Sequence, residues 1–299
     1  MKKIVITGAN GLLGQTLINL LLKEKAQYKV YGFSRGLNRT ERSDFQYSDV
    51  DITDKEKLES TLYKIHPDVI VNTAAMTNVD ACESQKEACN ELNIDSVAFL
   101  AEISENINAH LVHMSTDFIF DGKKGYYKET DTPNPLSHYG MSKLKSEQIL
   151  EKSGASFTIL RTILVYGLVK NMTRNNIVLW VKEMLENNKE ITIVNDQYRM
   201  PTYVEDLALA CKISIDKRAQ GVYNISSNTL LSIYEMVLQI ADIFQLNKTL
   251  VKPISSATLN QKAKRPAKTG FDLTKTNNLL GFHPKSFRED LERFKDSLV

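Results

Sequence analysis

Along the first half of the chain, short apolar runs alternate with stretches whose apolar positions recur every three or four residues. Residues 3–7 (KIVIT), 29–34 (KVYGFS), 68–72 (DVIVN), 110–115 (HLVHMS) and 157–162 (FTILRT) are short and mostly rich in Val and Ile, and predict buried strands. Between them, 12–25, 55–65, 94–106 and 139–152 carry helical spacing. Such alternation means repeated βαβ units, so the fold class is α/β, a Rossmann-like doubly wound parallel sheet with helices on both faces. Sheets of this kind bind ligands beyond the carboxyl ends of their strands. After about Gly167 the rhythm changes. Helical patterns at 176–187, 204–214, 233–244 and 287–298 are separated by short strands and polar loops. The expected division is a dinucleotide-binding domain over 1–167 and a smaller, mostly helical substrate lobe over 168–299. Strands near Ile191 and Val222 are expected to return to the main sheet. No Pro/Gly-rich linker separates the parts, which predicts a shared cleft.

Composition narrows the class. Of 299 residues, 42% are apolar and 25% charged, which is ordinary globular usage and excludes a disordered or low-complexity chain. The net charge of +2 offers no overall field for nucleic acid or an anionic membrane, and no apolar run approaches the roughly 20 residues of a membrane span. The apolar start of the chain breaks at Gly8, too soon for a signal peptide. The three cysteines, Cys82, Cys89 and Cys211, form neither a CxxC pair nor a cluster with histidine. They read as reduced thiols of a cytoplasmic protein, and no metal is expected. The charge is uneven, however: six basic residues and no acid lie between Ile243 and Phe271. Within that stretch Arg265 suits an anionic ligand such as a pyrophosphate, which its planar fork can bind bidentately.

Candidate chemistry gathers at three strand ends. Thr7-Gly8-Ala9-Asn10-Gly11-Leu12-Leu13-Gly14 joins the first strand to the first helix. Glycines there allow a tight turn and close approach to a dinucleotide pyrophosphate, whose charge the helix N-terminus favours. After the second strand stand Ser34 and Arg35 instead of the acid that would bond an NAD ribose. A hydroxyl and a guanidinium suit a 2′-phosphate, which predicts NADPH over NADH, with NADH still usable. Tyr139 and Lys143 are four residues apart at a helix start and therefore share a face. A lysine cation beside the phenol is expected to lower its pKa toward working pH, suiting it to give a proton to a carbonyl oxygen. The same spacing recurs at Tyr166 and Lys170, so spacing alone does not select. Context does: Ser115-Thr116 ends a strand ahead of Tyr139, and one of the two hydroxyls is positioned to orient a carbonyl.

These residues resemble the extended short-chain dehydrogenase/reductase family, in its dTDP-4-dehydrorhamnose reductase branch. The likeness runs along nearly the whole chain, in TGANGLLG, PDVIVNTAA, HMSTDFIFDG, ETDTPNPLSHYGMSKLKSE, RTILVYG and NDQYRMPT. It implies Thr116, Tyr139 and Lys143 as the catalytic set. It also implies that Gly11, Leu12 and Leu13 cradle the cofactor phosphates, within the loop whose Gly8, Asn10 and Gly14 are expected at the cofactor as well. Ser34, Arg35, Asp51 and Ile52 would then flank the adenosine, with Ala74 and Ala75 along the cofactor. Thr77, Thr116, Asp117, Arg199 and Arg265 are expected at a small-molecule nucleotide-sugar substrate. A homodimer is compatible with the resemblance. Three positions depart from the branch pattern: Met76 stands for a histidine, Phe118 for a tyrosine and Leu164 for a tryptophan. They leave the chemistry intact and loosen the identity of the sugar. Two other readings share these motifs: a nucleotide-sugar epimerase or dehydratase, and a non-catalytic NADP-binding regulatory subunit like the methionine adenosyltransferase beta subunit.

Overall fold

Five of the predicted strands form neighbouring parts of one sheet. The computed structural model describes residues 1–259 and 261–298. Strands β1 (Lys2–Thr7), β2 (Tyr28–Ser34), β3 (Gln46–Asp49), β4 (Val69–Asn72), β5 (His110–Thr116), β6 (Ser156–Thr162) and β7 (Gly221–Ile225) lie in the order β3-β2-β1-β4-β5-β6-β7. All neighbours are parallel. β4 and the last four residues of β1 are buried, hence their runs of Val and Ile, and β5 is buried nearly throughout although it carries His110, His113, Ser115 and Thr116. β3 is the polar edge, QYSD, and carries no apolar pattern to announce it.

Helices α1 (Leu12–Leu21), α2 (Lys55–Ile65), α3 (Ser96–Asn106) and α4 (His138–Lys152) match the helical spacing of the first half. Asp54 caps α2, accepting from Lys57 N, and Ser137 caps α4, accepting from Gly140 N. α2 and α3 cover one face of the sheet, with Leu58, Leu62, Val97, Leu100 and Ile103 fully buried against Val5, Ile70 and Leu111. Each such side chain contributes roughly 1.5–3 kcal/mol by leaving water. α4 is different. Its inward face is Ser142, Lys143, Ser146 and Glu147, so its apolar periodicity is weak.

Helices α5 (Ile177–Glu186), α6 (Val204–Lys217), α7 (Ile233–Ile243) and α8 (Phe287–Asp296) follow. Two expectations for the second half need correction. The strand Ile191–Val194 does not return to the main sheet; it pairs in parallel with Val251–Ile254. Its inward residues Ile191 and Ile193 instead complete the core formed by α5, α7 and α8. Conversely, α6 lies beyond residue 167 yet covers the second face of the main sheet. There Leu207, Ala208, Cys211 and Ile215 pack with Leu17, Ile18 and Leu21 of α1. The strand near Val222 does return, as β7 beside β6. A small four-stranded sheet, ordered Leu231–Ser232, Tyr198–Arg199, Lys268–Phe271, Gly125–Tyr127, joins the second half of the chain to the segment that follows β5.

Candidate active site

The glycine loop is tight because side chains do not fit. Gly8 has φ +67°, and a Cβ there would lie 2.8 Å from Ala74 N. A Cβ on Gly14 would come within 2.3 Å of Gly8 O. Gly11 begins α1 with no side-chain cap and no acid in the first turn, so the amides of Leu12 and Leu13 face the loop without a side-chain partner. Asn10 stands behind this cradle rather than in it. Its Nδ2 donates to Leu37 O at 2.9 Å and Tyr47 Oη at 3.0 Å, and its Oδ1 accepts from Arg39 N at 2.9 Å. Ser34 ends β2. Arg35 beyond it is 76% exposed and lies 3.7 Å from Asp51 Oδ2. Asp51 Oδ1 accepts from Thr53 N and Oγ1, while Ile52 is buried. Ala74 passes against Gly8, and Ala75 follows it, half-buried.

Register and one close approach assemble the second cluster. β5 pairs with β4 and β6, bringing Thr116 level with Thr162 at the carboxyl edge. A Cβ on Gly140 would meet Phe118 O at 2.2 Å, so glycine lets the first turn of α4 press on the turn after β5. Tyr139 is thereby brought beside Thr116 and sets its ring edge-on to Phe118, centroids 5.9 Å apart. Lys143, buried one turn on, sets its Nζ 3.1 Å from His113 Nε2. Burial pushes Lys143 down to about 8, against the pull of the Glu147 carboxylate.

The expected lowering of the Tyr139 pKa is not what the structure holds. Burial raises it well above the ordinary phenol value, the Thr116 hydrogen bond opposes this, and Asp117, Cys82 and Cys89 add to the rise. Lys143 points to His113 instead. The neighbouring hydroxyls also divide. Ser115 faces away from the cleft and donates to Glu147 Oε1, while Arg161 Nη2 holds Glu147 Oε2 at 2.7 Å. Only Thr116 faces Tyr139. The second Tyr/Lys pair is split: Tyr166 is buried in the core formed with α5, α7 and α8, and Lys170 reaches Glu41 at the surface.

Several expected substrate residues have structural partners. Asp117 is buried, accepting from Thr116 Oγ1 at 3.1 Å and from Thr269 Oγ1. Arg199 is buried too. Its Nη2 donates to Pro266 O and its Nη1 to Tyr198 O, both at 2.7 Å, while its Nε lies 3.7 Å from Asp117 Oδ2. The pair ties the segment after β5 to the 266–269 segment that leads into the strand Lys268–Phe271. Thr77 is exposed and accepts from Arg174 Nη1 at 2.9 Å. Arg265 forks a carboxylate, with Nη2 2.6 Å from Asp80 Oδ2 and Nη1 3.2 Å from Oδ1. Of the departures, Phe118 lies under the Arg199 guanidinium and Leu164 is held at φ +43° with 37% exposure. Met76 N donates to Asn93 Oδ1.

Sequence reasoning missed His113, Asn72 and Arg174. His113 and Asn72 read as ordinary strand residues, and only pairing of β4 with β5 sets them side by side. Arg174 lies in a loop, where spacing says nothing about which residue it faces. The three cysteines are free and buried. Among the described residues, no helix is long and apolar enough to cross a membrane.

Comparison with known proteins agrees with this geometry. The family model described as RmlD substrate binding domain matches residues 1–299. A dTDP-4-dehydrorhamnose reductase of Aggregatibacter actinomycetemcomitans is 33% identical over 99% of each chain. The methionine adenosyltransferase 2 subunit beta of Bos taurus is 30% identical over 93% of this chain and 82% of its own. The crystal structure of a dTDP-4-dehydrorhamnose reductase from Bacillus anthracis, in complex with NADP, superposes with TM-score 0.89 at 30% identity, covering 99% of both chains.

Proposed function

The chain belongs to the family of the RmlD substrate-binding domain, and from that premise we propose that it is an NADPH-dependent reductase of the 4-keto group of a dTDP-sugar. The substrate we favour is dTDP-4-dehydro-L-rhamnose, reduced to dTDP-L-rhamnose. The observation that carries this reading is the grouping of Thr116, Tyr139 and Lys143 at the carboxyl edge of β5, on the same sheet edge as the uncapped start of α1. The three buried free cysteines support a cytoplasmic setting.

The residues present fit the cofactor. Backbone closeness at Gly8 and Gly14 and the free first-turn amides of α1 suit a pyrophosphate. Exposed Arg35 suits a 2′-phosphate. When bound, NADPH supplies the hydride that reduces the carbonyl carbon. Tyr139 supplies the proton that the new alkoxide oxygen takes up. Its raised pKa keeps the phenol protonated at neutral pH, the state a proton donor needs in the reducing direction. Thr116, beside the phenol, orients the carbonyl oxygen toward it. Lys143, charged below about pH 8, steadies the phenolate left behind and offers donors to the nicotinamide ribose.

The test follows NADPH absorbance with a panel of nucleotide 4-keto sugars. Stoichiometric consumption with dTDP-4-dehydro-L-rhamnose is the expected result. Consumption only with another sugar would reassign the substrate and point to Met76, Phe118 and Leu164. Binding of NADPH without turnover of any sugar would overturn the reductase reading in favour of the regulatory-subunit one, which the likeness to the Bos taurus beta subunit supports.

A further inference from the structure

His113 is buried on β5, three residues before Thr116, and both its ring nitrogens have partners. Nδ1 lies 3.1 Å from the side-chain amide of Asn72, and Asn72 lies 2.6 Å from Thr7 Oγ1. Nε2 lies 3.1 Å from Lys143 Nζ and 3.0 Å from Ser146 Oγ. A continuous polar line therefore runs from the end of β1 through β4 and β5 to α4, beneath the cleft. We propose that His113 is a positioning residue whose Nε2 accepts from the Lys143 ammonium and fixes where that charge stands relative to Tyr139, with Asn72 and Thr7 holding the ring from behind. The inference rests on the reductase reading for its consequence in turnover.

Chemistry favours an imidazole in this place. An ammonium carries three donors and, once buried, needs acceptors. The carboxylate on its own helix, Glu147, is already held by Arg161 and Ser115. The remaining titratable groups facing Lys143 are Cys89, from the short helix Lys86–Asn90, and His113 from β5. A neutral imidazole accepts without adding negative charge that would pull the proton more tightly onto lysine or phenol. Burial first, and Lys143 second, hold His113 well below its ordinary pKa, so the ring is neutral.

Proton placement follows from the same contacts. With Lys143 charged, Nε2 must accept, the ring proton sits on Nδ1, and Asn72 must turn its amide oxygen toward it, so that Thr7 Oγ1, which as placed donates to Asn72 Oδ1, accepts from Nδ2 instead. The amide as placed, Nδ2 toward Nδ1, suits the other tautomer, in which Nε2–H donates to Ser146 Oγ or to an uncharged Lys143 amine. Ser146 Oγ donates to Lys143 O, so it accepts from Nε2–H in the second tautomer and makes no hydrogen bond to Nε2 in the first. The two charge states of Lys143 thus correspond to two orientations of one buried amide.

The test needs no substrate for its first readout. Protein labelled with 13C at the lysine ε-carbon gives the Lys143 titration midpoint by NMR, assigned by its absence in Lys143→Arg. His113→Leu is expected to lower that midpoint by about one pH unit through loss of a hydrogen bond to a charged group. His113→Gln, which restores an acceptor, should return most of the shift. Under turnover, His113→Leu should lower kcat about tenfold, move the alkaline limb of the kcat profile down by the same shift, and leave the sugar KM near its original value. An unmoved midpoint in folded His113→Leu overturns the proposal, as does a loss of turnover with an unchanged pH profile. If the Leu variant does not fold, long-range 1H–15N NMR of the unsubstituted protein at pH 6.5 decides. A neutral ring protonated on Nδ1 is expected, and an Nε2–H ring or an imidazolium overturns the proposal. If no keto sugar is reduced at all, the NMR midpoints still stand or fall on their own.

Discussion

Tyr139 and Lys143 share a face of α4, yet their environments push their pKa values in opposite senses. Burial disfavours whichever form is charged, so it lifts the phenol and lowers the ammonium. The phenol stays protonated, ready to donate, and the lysine holds its charge only below about pH 8. Tyr139→Phe removes the donor while leaving the ring against Phe118. We expect kcat to fall by about 10²–10⁴, the range for a lost general acid, with the NADPH dissociation constant little changed in a fluorescence titration. Near-normal turnover would refute the assignment. The spacing of Tyr139 and Lys143 is legible in sequence because four residues bring two side chains onto one helix face. The pKa shifts are not, since they depend on what is packed around that face. Asp117 and Arg199 show the same limit. Their types suggest a sugar-binding pair, and spacing does not show that both are buried, with Arg199 Nε 3.7 Å from Asp117 Oδ2 and Nη2 on Pro266 O.

At the scale of elements, the helices identified by apolar spacing match well, and boundaries shift where caps and turns decide them. α8 is amphipathic and carries a capping box at Ser286 and Glu289. Its inner face holds a buried cluster in which Arg293 Nη1 lies 2.7 Å from both Asp290 and Asp206. One guanidinium serves two carboxylates, and burial with Asp206 pushes Asp290 up to about 7. A carboxyl whose folded pKa lies above its unfolded value contributes stability at low pH that is lost as pH rises through the folded value. Ionised Asp290 therefore weakens α8 docking progressively up to about pH 7. For Asp290→Asn, the melting temperature relative to the unsubstituted protein should rise by a few degrees between pH 5 and pH 8. A difference that stays flat with pH in calorimetry would contradict this account. The strands follow a similar rule. The largely buried β1, β4 and β5 are plain in the sequence, whereas the polar edge β3 owes its place to pairing with β2.

Across the whole molecule, the glycine loop follows β1, Arg35 follows β2 and Thr116 ends β5, while Arg174 reaches Thr77 and Arg265 reaches Asp80. Arg35 is largely exposed, its nearest anion Asp51 is 3.7 Å away, and Arg39 is exposed on the same loop. Arg35→Ala should raise the KM for NADPH about tenfold, as expected for one charge-assisted phosphate contact, while leaving that for NADH nearly unchanged. An equal effect on both cofactors in steady-state kinetics would remove Arg35 from the 2′-phosphate site. The basic 243–271 stretch also changes meaning at this scale. Lys248 pairs with Asp242, Lys252 lies near Glu190 and Arg265 forks Asp80, so an anionic ligand reaching Arg265 must displace a carboxylate. The sequence by itself determined the parallel α/β sheet, the tight glycine loop before α1 and the shared helix face of Tyr139 and Lys143, because those rest on periodicities and spacings of a few residues along one chain. Only the tertiary structure decided that α6 covers the sheet and that the strand at Ile191 leaves it. It also decided that Ser115 turns from the cleft and that His113 receives Lys143. Those outcomes depend on strand register and on helices meeting across large separations in sequence, where burial, not local propensity, sets which neighbour a polar group finds.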